Sequence, residues 1–309
     1  MFRYTLRQIQ YYVAVAESGS ISGAAQACHV SQAGMSLAIN ELEKAVGTQL
    51  IVRRKAKGIT LTTAGRGFLK DAQVLLREAE EIQARIEERH GELAGPLAIG
   101  CYTTLSAFWV PLMTAGFAAP NPKLELTITE GAADELQLQM LEGRLDAVLT
   151  HTRHVTGGAE MRVIKEGRPY ILLGAEHRLA GRGKIALPEL AGDDMVLLDI
   201  PSVRDNQLPN LRDAGLDPKI AWRSTSFEAV RGMVARGLGY TVLVQRPPLD
   251  VSYEGLPLVC VPIDGHIGHS DICFAYPGRQ RLSRRLTALM DYCAQSVEAG
   301  NGAAGLTGG

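Results

Sequence analysis

Residues 20–47 read SISGAAQACHVSQAGMSLAINELEKAVG, and their spacing decides the fold of the amino-terminal unit. Ser20 is placed as an N-cap for a short helix carrying Ile21, Ala24, Ala25 and Ala27, whose small side chains let a second helix approach closely. His29-Val30 breaks that helix, and Ser31 caps the next. Met35, Ile39, Leu42 and Val46 then recur at spacings of four, three and four, a narrow inward stripe that stops at Gly47. Upstream, Leu6, Ile9, Tyr12, Val13 and Ala16 mark another amphipathic helix, ended by Ser18-Gly19. Two helices joined by a short turn form a helix-turn-helix unit. On its second helix Ala33, Ser36, Leu37 and Asn40 project outward, with Gln32 at the starting edge. Such positions meet base edges in the major groove: Gln and Asn suit adenine, Ser is permissive, and Leu suits a thymine methyl. The bland alternative is a solvated face of an ordinary three-helix domain.

The flanking segment weighs against that alternative. Arg53, Arg54, Lys55 and Lys57 crowd a loop ending at Gly58, between β-prone pieces at Leu50–Val52 and Ile59–Leu61. Four cations beside a recognition helix fit a wing lying along phosphates or dipping into the minor groove. The first seventy residues hold nine Lys/Arg against three acidic residues, a charge of +6, which leaves −7 for the remaining 239. A basic head on an acidic body suits a polyanion-binding module joined to something else.

Ser20-x-x-x-Ala24-Ala25, Ser31-Gln32-x-x-x-Ser36, Glu41-Leu42-Glu43, Gly47, Leu50-x-x-Arg53 and Leu61-Thr62-x-Ala64-Gly65 stand in register over about sixty residues. This pattern resembles the winged helix-turn-helix of LysR-type transcription regulators. Ala33-Gly34, Ile51 and Leu37 depart from the residues most common in that family, which touches the operator sequence rather than the fold. The expected DNA-contacting set is Ser31, Gln32, Ala33, Ser36, Leu37, Asn40, Arg53, Arg54 and Thr62.

From Thr62, a further N-cap, helical spacing runs to about Arg89. Phe68, Ala72, Leu75, Ala79, Ile82 and Ile86 form a heptad-like seam among charged residues, which calls for a partner helix. In the resembled family this is the dimerising linker, so a homodimer or homotetramer is expected. His90-Gly91 to Gly95-Pro96 breaks the helix.

Beyond it, short strands alternate with helices, as in an α/β domain. Leu97-x-Ile99-Gly100, Leu141-x-x-Gly143-x-Leu145-Asp146, His177-x-Leu179-Ala180 and Val234-Ala235-x-Gly237-Leu238-Gly239 resemble the LysR-type effector domain. That resemblance implies a two-lobed periplasmic-binding-protein-like fold. The expected organisation is a winged helix-turn-helix at 1–62, a linker helix at 63–90 and an effector domain at 91–298. Lobe one takes 91–165 and 266–296, lobe two takes 166–265, and a disordered tail takes 299–309. Ligands in such a fold sit at strand C-terminal ends, where helix N-termini aim free N–H groups. The candidate turns supply Tyr102, Thr103 and Thr104, then Ser202 and Arg204, then Thr225 and Phe227, with Thr150 beside them. Hydroxyls and one arginine suit a small carboxylate, with Tyr102 and Phe227 flanking a ring. Plain N-capping is the alternative for each.

No catalytic, metal or cofactor site is expected. His151-x-x-His154 lacks the further ligand of a catalytic zinc, and no phosphate-binding Gly-rich fingerprint occurs. No apolar run of about 18 residues reads as a membrane span, and the first thirty residues lack a secretion signal, so a cytoplasmic protein is expected. That also opposes a secreted solute-binding protein. Expected partners are double-stranded operator DNA, a small-molecule effector, further copies of the chain and, as a candidate, RNA polymerase. The rival regulator is a thiol-based redox sensor using Cys101, although the five scattered cysteines offer no C-x-x-C pair.

Overall fold

A computed structural model of the chain describes residues 3–54, 58–87, 92–201, 203–265, 267–268, 270–278 and 282–304. Helix α1 (Leu6–Ser18) opens on a reciprocal cap: Gln8 N donates to Thr5 Oγ1, and Thr5 N to Gln8 Oε1. It ends on Gly19 at φ 63°. Helix α2 (Ile21–Ala27) buries Ala24 and Ala25 against its neighbours. The turn to α3 (Gln32–Val46) passes through His29 at φ 54°, a left-handed conformation rare outside glycine. Ser31 Oγ accepts from Gly34 N at 3.0 Å, and Met35, Ile39 and Leu42 are wholly buried with Ile9, Tyr12 and Val15.

The wing pairs β1 (Ile51–Arg54) with β2 (Gly58–Leu61) in antiparallel register, Ile51 opposite Leu61. Two anchors fix it. Glu43 Oε1 accepts from the amides of Leu50 (2.7 Å) and Ile51 (2.9 Å), and Ile59 N donates to Gly19 O at 2.9 Å. Residues 55–57 and the Arg54 side chain, both invoked for phosphate contact, lie outside the described residues.

Helix α4 (Thr63–Glu87) starts under Thr62, whose Oγ1 accepts from Gly65 N at 2.9 Å. Of the predicted seam, Phe68 packs edge-on against Tyr12 and Ala72 is buried, so both belong to the chain's own core. Leu75 and Ile82 remain 43% and 60% exposed, an apolar face that the single chain does not cover. A different face of α4 docks on the body. Arg77 reaches Leu145 O (3.2 Å) and the Asp146 carboxylate (3.5 Å), while Glu81 pairs with Arg285 at 2.6 Å.

The body holds two sheets with separate apolar cores. The first has the order β4 (Leu124–Gly131), β3 (Gly95–Tyr102), β5 (Ala147–His151), β13 (Ile272–Pro277), β6 (Ala159–Lys165). The second has the order β11 (Thr241–Leu243), β7 (Tyr170–Gly174), β12 (Leu258–Asp264), β8 (Ile185–Ala186). The parallel pair β9 (Asp194–Leu198) and β10 (Lys219–Ser224) joins β11 through a Met195–Tyr240 bridge. The chain crosses between lobes twice, from β6 to β7 and from β12 to β13.

Helices α5 (Thr103–Pro111), α6 (Ala133–Leu141), α7 (Leu208–Asp213), α8 (Phe227–Ala235) and α9 (Arg284–Ala304) cover the sheets. Pro111 lacks the amide needed to continue an α-helical ladder, and α5 widens into π-type turns over Leu112–Ala118. The last helix runs to Ala304, past Glu298, where the glycine- and alanine-rich composition predicts the ordered chain to stop. Among the described residues no helix is long and apolar enough to cross a membrane.

Gly65 is where α4 touches the wing: a Cβ there would stand 2.0 Å from Leu50 O. Tyr12 Oη also donates to Gly65 O, at 2.8 Å. Gly65→Ala is therefore expected to cost about 2–3 kcal/mol, the upper range for overpacking. Circular-dichroism melting should show it as an earlier first transition. An unchanged melt would mean that the wing is not clamped here.

Candidate functional site

Helix α3 presents Gln32, Ala33, Leu37 and Asn40 to solvent, with Ser36 half-buried beside them. Leu37 is 59% exposed, an apolar side chain that the fold does not use. Ser31 caps the helix. Arg53 Nη2 donates to Asn40 Oδ1 at 3.2 Å, tying the wing to the helix. Thr62 is not a free hydroxyl: its proton goes to Gln49 O at 2.8 Å, because it caps α4.

Between the lobes lies a cleft of ≈ 60 Å³. Lobe one contributes Thr104 from the start of α5, His151 from the end of β5, then Arg153 and Ser270. Lobe two contributes Pro169, Leu198, Ile200, Gln207, Asn210, Phe227 and Gln245. Phe227 meets Phe108 of α5 edge-on at 5.9 Å, so one aromatic contact bridges the lobes. Gln207 Nε2 is committed to Val242 O at 2.7 Å. Gln245 is 6% exposed, and its Nε2 has no hydrogen-bond partner. Among the described lining residues Arg153 is the one cation, and no carboxylate is present. Burial holds His151 below the ordinary imidazole range. Burial, aided by His151, lowers His154 to about 4, so both rings are neutral near pH 7.

Of the residues expected to hold an effector, Thr104 and Phe227 line this cleft. The others are placed differently, each for a local reason. Tyr102 is buried and packs edge-on against His154 at 4.9 Å. Thr103 donates to Gly131 O. Thr150 is buried, with Oγ1 3.1 Å from His154 Nδ1. Arg204 is exposed and paired with Asp199 at 2.7 Å. Thr225 is exposed and outside the cleft lining, and Ser202 lies outside the described residues. Arg153, Gln207, Asn210 and Gln245 gave no motif: Arg153 and Gln245 sit just past strands, Gln207 and Asn210 in the helical turns at and before α7, and only the crossing of the lobes brings them together. Among the described residues no group of three or more His, Cys, Asp or Glu is arranged to hold a metal.

The model of the bacterial regulatory helix-turn-helix protein, lysR family, matches residues 6–66, and that of the LysR substrate binding domain matches residues 90–298. The chain belongs to the LysR family of transcription regulators. A hydrogen peroxide-inducible genes activator of Pectobacterium carotovorum subsp. carotovorum is 32% identical over 251 residues, 81% of this chain and 82% of the relative. The crystal structure of a putative LysR family transcriptional regulator from Pseudomonas aeruginosa is 33% identical, with a TM-score of 0.63 over 96% of this chain and 99% of that one. A full-length OxyR variant from the same organism, at 24% identity, shares the fold with a TM-score of 0.74 over 94% and 97% of the two chains.

The cysteines of this LysR-type chain stand apart from the cleft. Cys101 lies on β3 with no exposed surface, inside the core of the first lobe. Burial, with a smaller push from Glu130, raises its thiol to about 12. Cys273 and Cys293 are buried and raised to about 12, and half-buried Cys260 reaches about 12 beside Asp250. A thiol of this kind stays protonated at neutral pH and reacts slowly, because the thiolate is the nucleophile. Iodoacetamide at about pH 8 is expected to leave Cys101 unmodified in the folded protein and to alkylate it once guanidinium unfolds the chain. Peptide mass spectrometry reads the difference. Rapid labelling of folded Cys101 would show a reachable thiolate instead.

Proposed function

We propose that this regulator reads operator DNA through α3 and its wing, and is switched by a small molecule held between the two lobes. The observation that carries the second half is the cleft itself, whose polar groups come from both lobes and leave the buried Gln245 amide unpartnered. A ligand that touches both lobes binds their closed arrangement more tightly than the open one, and that differential affinity is what shifts a two-state equilibrium. The uncovered Leu75 and Ile82 face of α4 supports pairing with a second copy, which presents two recognition helices to two half-sites. Dimers or tetramers built this way act in the cytoplasm, where closure respaces the DNA-binding heads and alters contact with RNA polymerase. The DNA set is Gln32, Ala33, Ser36, Leu37 and Asn40 on the base edges, with Arg53 and Arg54 toward phosphate.

A second reading is a peroxide-responsive thiol switch at Cys101, favoured by relatives at 32% identity that are named hydrogen peroxide-inducible genes activators. Against it stand the burial and raised ionisation of Cys101, and the absence of cysteine from the described lining of the cleft. Peroxide treatment followed by mass spectrometry separates the two. Oxidised Cys101 with altered operator binding supports the thiol switch, and an unmodified chain removes it.

For the DNA half, Arg53→Ala is expected to weaken binding to all sequences, to reduce the salt slope by about 1 and, by releasing Asn40 Oδ1, to shift preference at the base pair Asn40 meets. Gln32→Ala should change preference at one base position by about 1–3 kcal/mol. Mobility shifts across salt and operator variants measure both. Equal loss on operator and random DNA for Gln32→Ala would remove that residue from base readout.

A further inference from the structure

We infer that Leu37 and Asn40 together read one thymine in each operator half-site, Leu37 through the 5-methyl group and Asn40 through O4. This rests on the reading of α3 as the helix that meets base edges. The core stripe of α3 is complete without Leu37, since Met35, Ile39 and Leu42 are wholly buried while Leu37 is 59% exposed. At about 100° per residue, Ala33, Leu37 and Asn40 fall on the side opposite that stripe. Scattered exposed leucines are common and signify nothing alone. This one is set apart by its place in the middle of the base-facing surface and by the state of the polar residues around it.

Those neighbours are committed. Glu41 Oε2, on the next turn, accepts from Gln8 Nε2 of α1 at 3.2 Å. Ser31 Oγ is spent on the amide of Gly34. Asn40 Oδ1 is held by Arg53 Nη2 at 3.2 Å, while its Nδ2 donates to no described residue. A base beneath this stretch therefore meets an apolar side chain and, three residues on, a hydrogen-bond donor. Side chains three apart on a helix stand about 5–6 Å apart at Cβ, close enough to converge on one base edge. In the major groove only thymine sets a methyl beside an acceptor. Cytosine shows an amino donor, guanine two acceptors and no methyl, and adenine an acceptor and a donor. Any of those three beneath Leu37 would give up water from a polar edge and gain no partner for it. Ala33, exposed one turn earlier, adds a methyl-sized surface and no polar group to compete.

The test uses the full-length protein and the duplex it selects from a random library, with the thymines of one half-site replaced one at a time. Uracil keeps O4 and lacks the methyl. Methylcytosine, paired with guanine, keeps the 5-methyl and sets an amino group where O4 was. Mobility shifts at constant salt read Kd. At one thymine, uracil is expected to weaken binding about fourfold, the worth of one buried methyl, and 5-methylcytosine about tenfold or more, because two donors then face each other. Leu37→Ala should erase the uracil penalty at that thymine and keep the methylcytosine penalty, and Asn40→Ala should do the reverse. Both positions are exposed, and circular-dichroism melting checks that both variants fold. Uracil tolerated at every thymine, by a protein that still selects its duplex, would refute the methyl contact and leave α3 as the reading helix. A penalty that its matching variant leaves intact would refute that residue's contact. Failure to select any duplex would overturn the reading of α3 itself.

Discussion

A cluster of desolvated charges at the foot of α4 determines how the DNA-reading head is carried. Arg285 is 5% exposed and spends its guanidinium on Glu81 of the helix and on the carbonyls of Ala94 and Pro96. One turn earlier, Arg77 meets Asp146, whose own carboxylate accepts from Ala98 N at 2.8 Å. Burial raises the Asp146 carboxyl against the opposing pull of that amide and of Arg77. Buried ion pairs contribute little net stability, but breaking one strands an unpaired charge, so they specify one geometry strongly. The linker is thereby locked to the first β-strands of lobe one and cannot slide along them cheaply. Any change in the attitude of that lobe is handed to the head.

What can change is the relation of the two lobes. Each has a self-sufficient apolar core, and the chain passes between them only at two short crossings. A hinge motion about those crossings would part the apolar residues Leu198, Ile200, Phe227 and Leu243 from the facing lobe along with the polar ones that line the cleft. The Phe108–Phe227 contact and the apolar and polar residues of the cleft lie at the gap. Whatever occupies the cleft therefore bears on both lobes at once.

The head was legible in the sequence because its information is local. The Met35, Ile39, Leu42 stripe, the serine caps at 20 and 31, and the glycines at 19 and 47 each act within one or two turns. The alternation of strands and helices likewise exposed the α/β body. The cleft was less legible, since its lining is drawn from positions more than a hundred residues apart. Hydroxyls at helix starts resemble ligand groups in sequence, yet Thr103 and Thr150 satisfy neighbours within the protein. Arg204 had a visible warning in Asp199, five residues earlier, which neutralises it. The heptad seam misled in its first third, because Phe68 and Ala72 fit a period that a core and a partner helix can both use.

The bond from Arg53 to Asn40 narrows what this protein can ask of a base pair. A guanidinium only donates, so the asparagine must turn its carbonyl oxygen toward it, and the amide nitrogen is left facing outward. In the proposed base contact that oxygen would have to serve the guanidinium and an adenine N6 at once, through its two lone pairs, whereas the amide nitrogen would donate without competition to guanine O6 or N7 or thymine O4. An arginine that never touches a base would in this way edit the alphabet available to its neighbour.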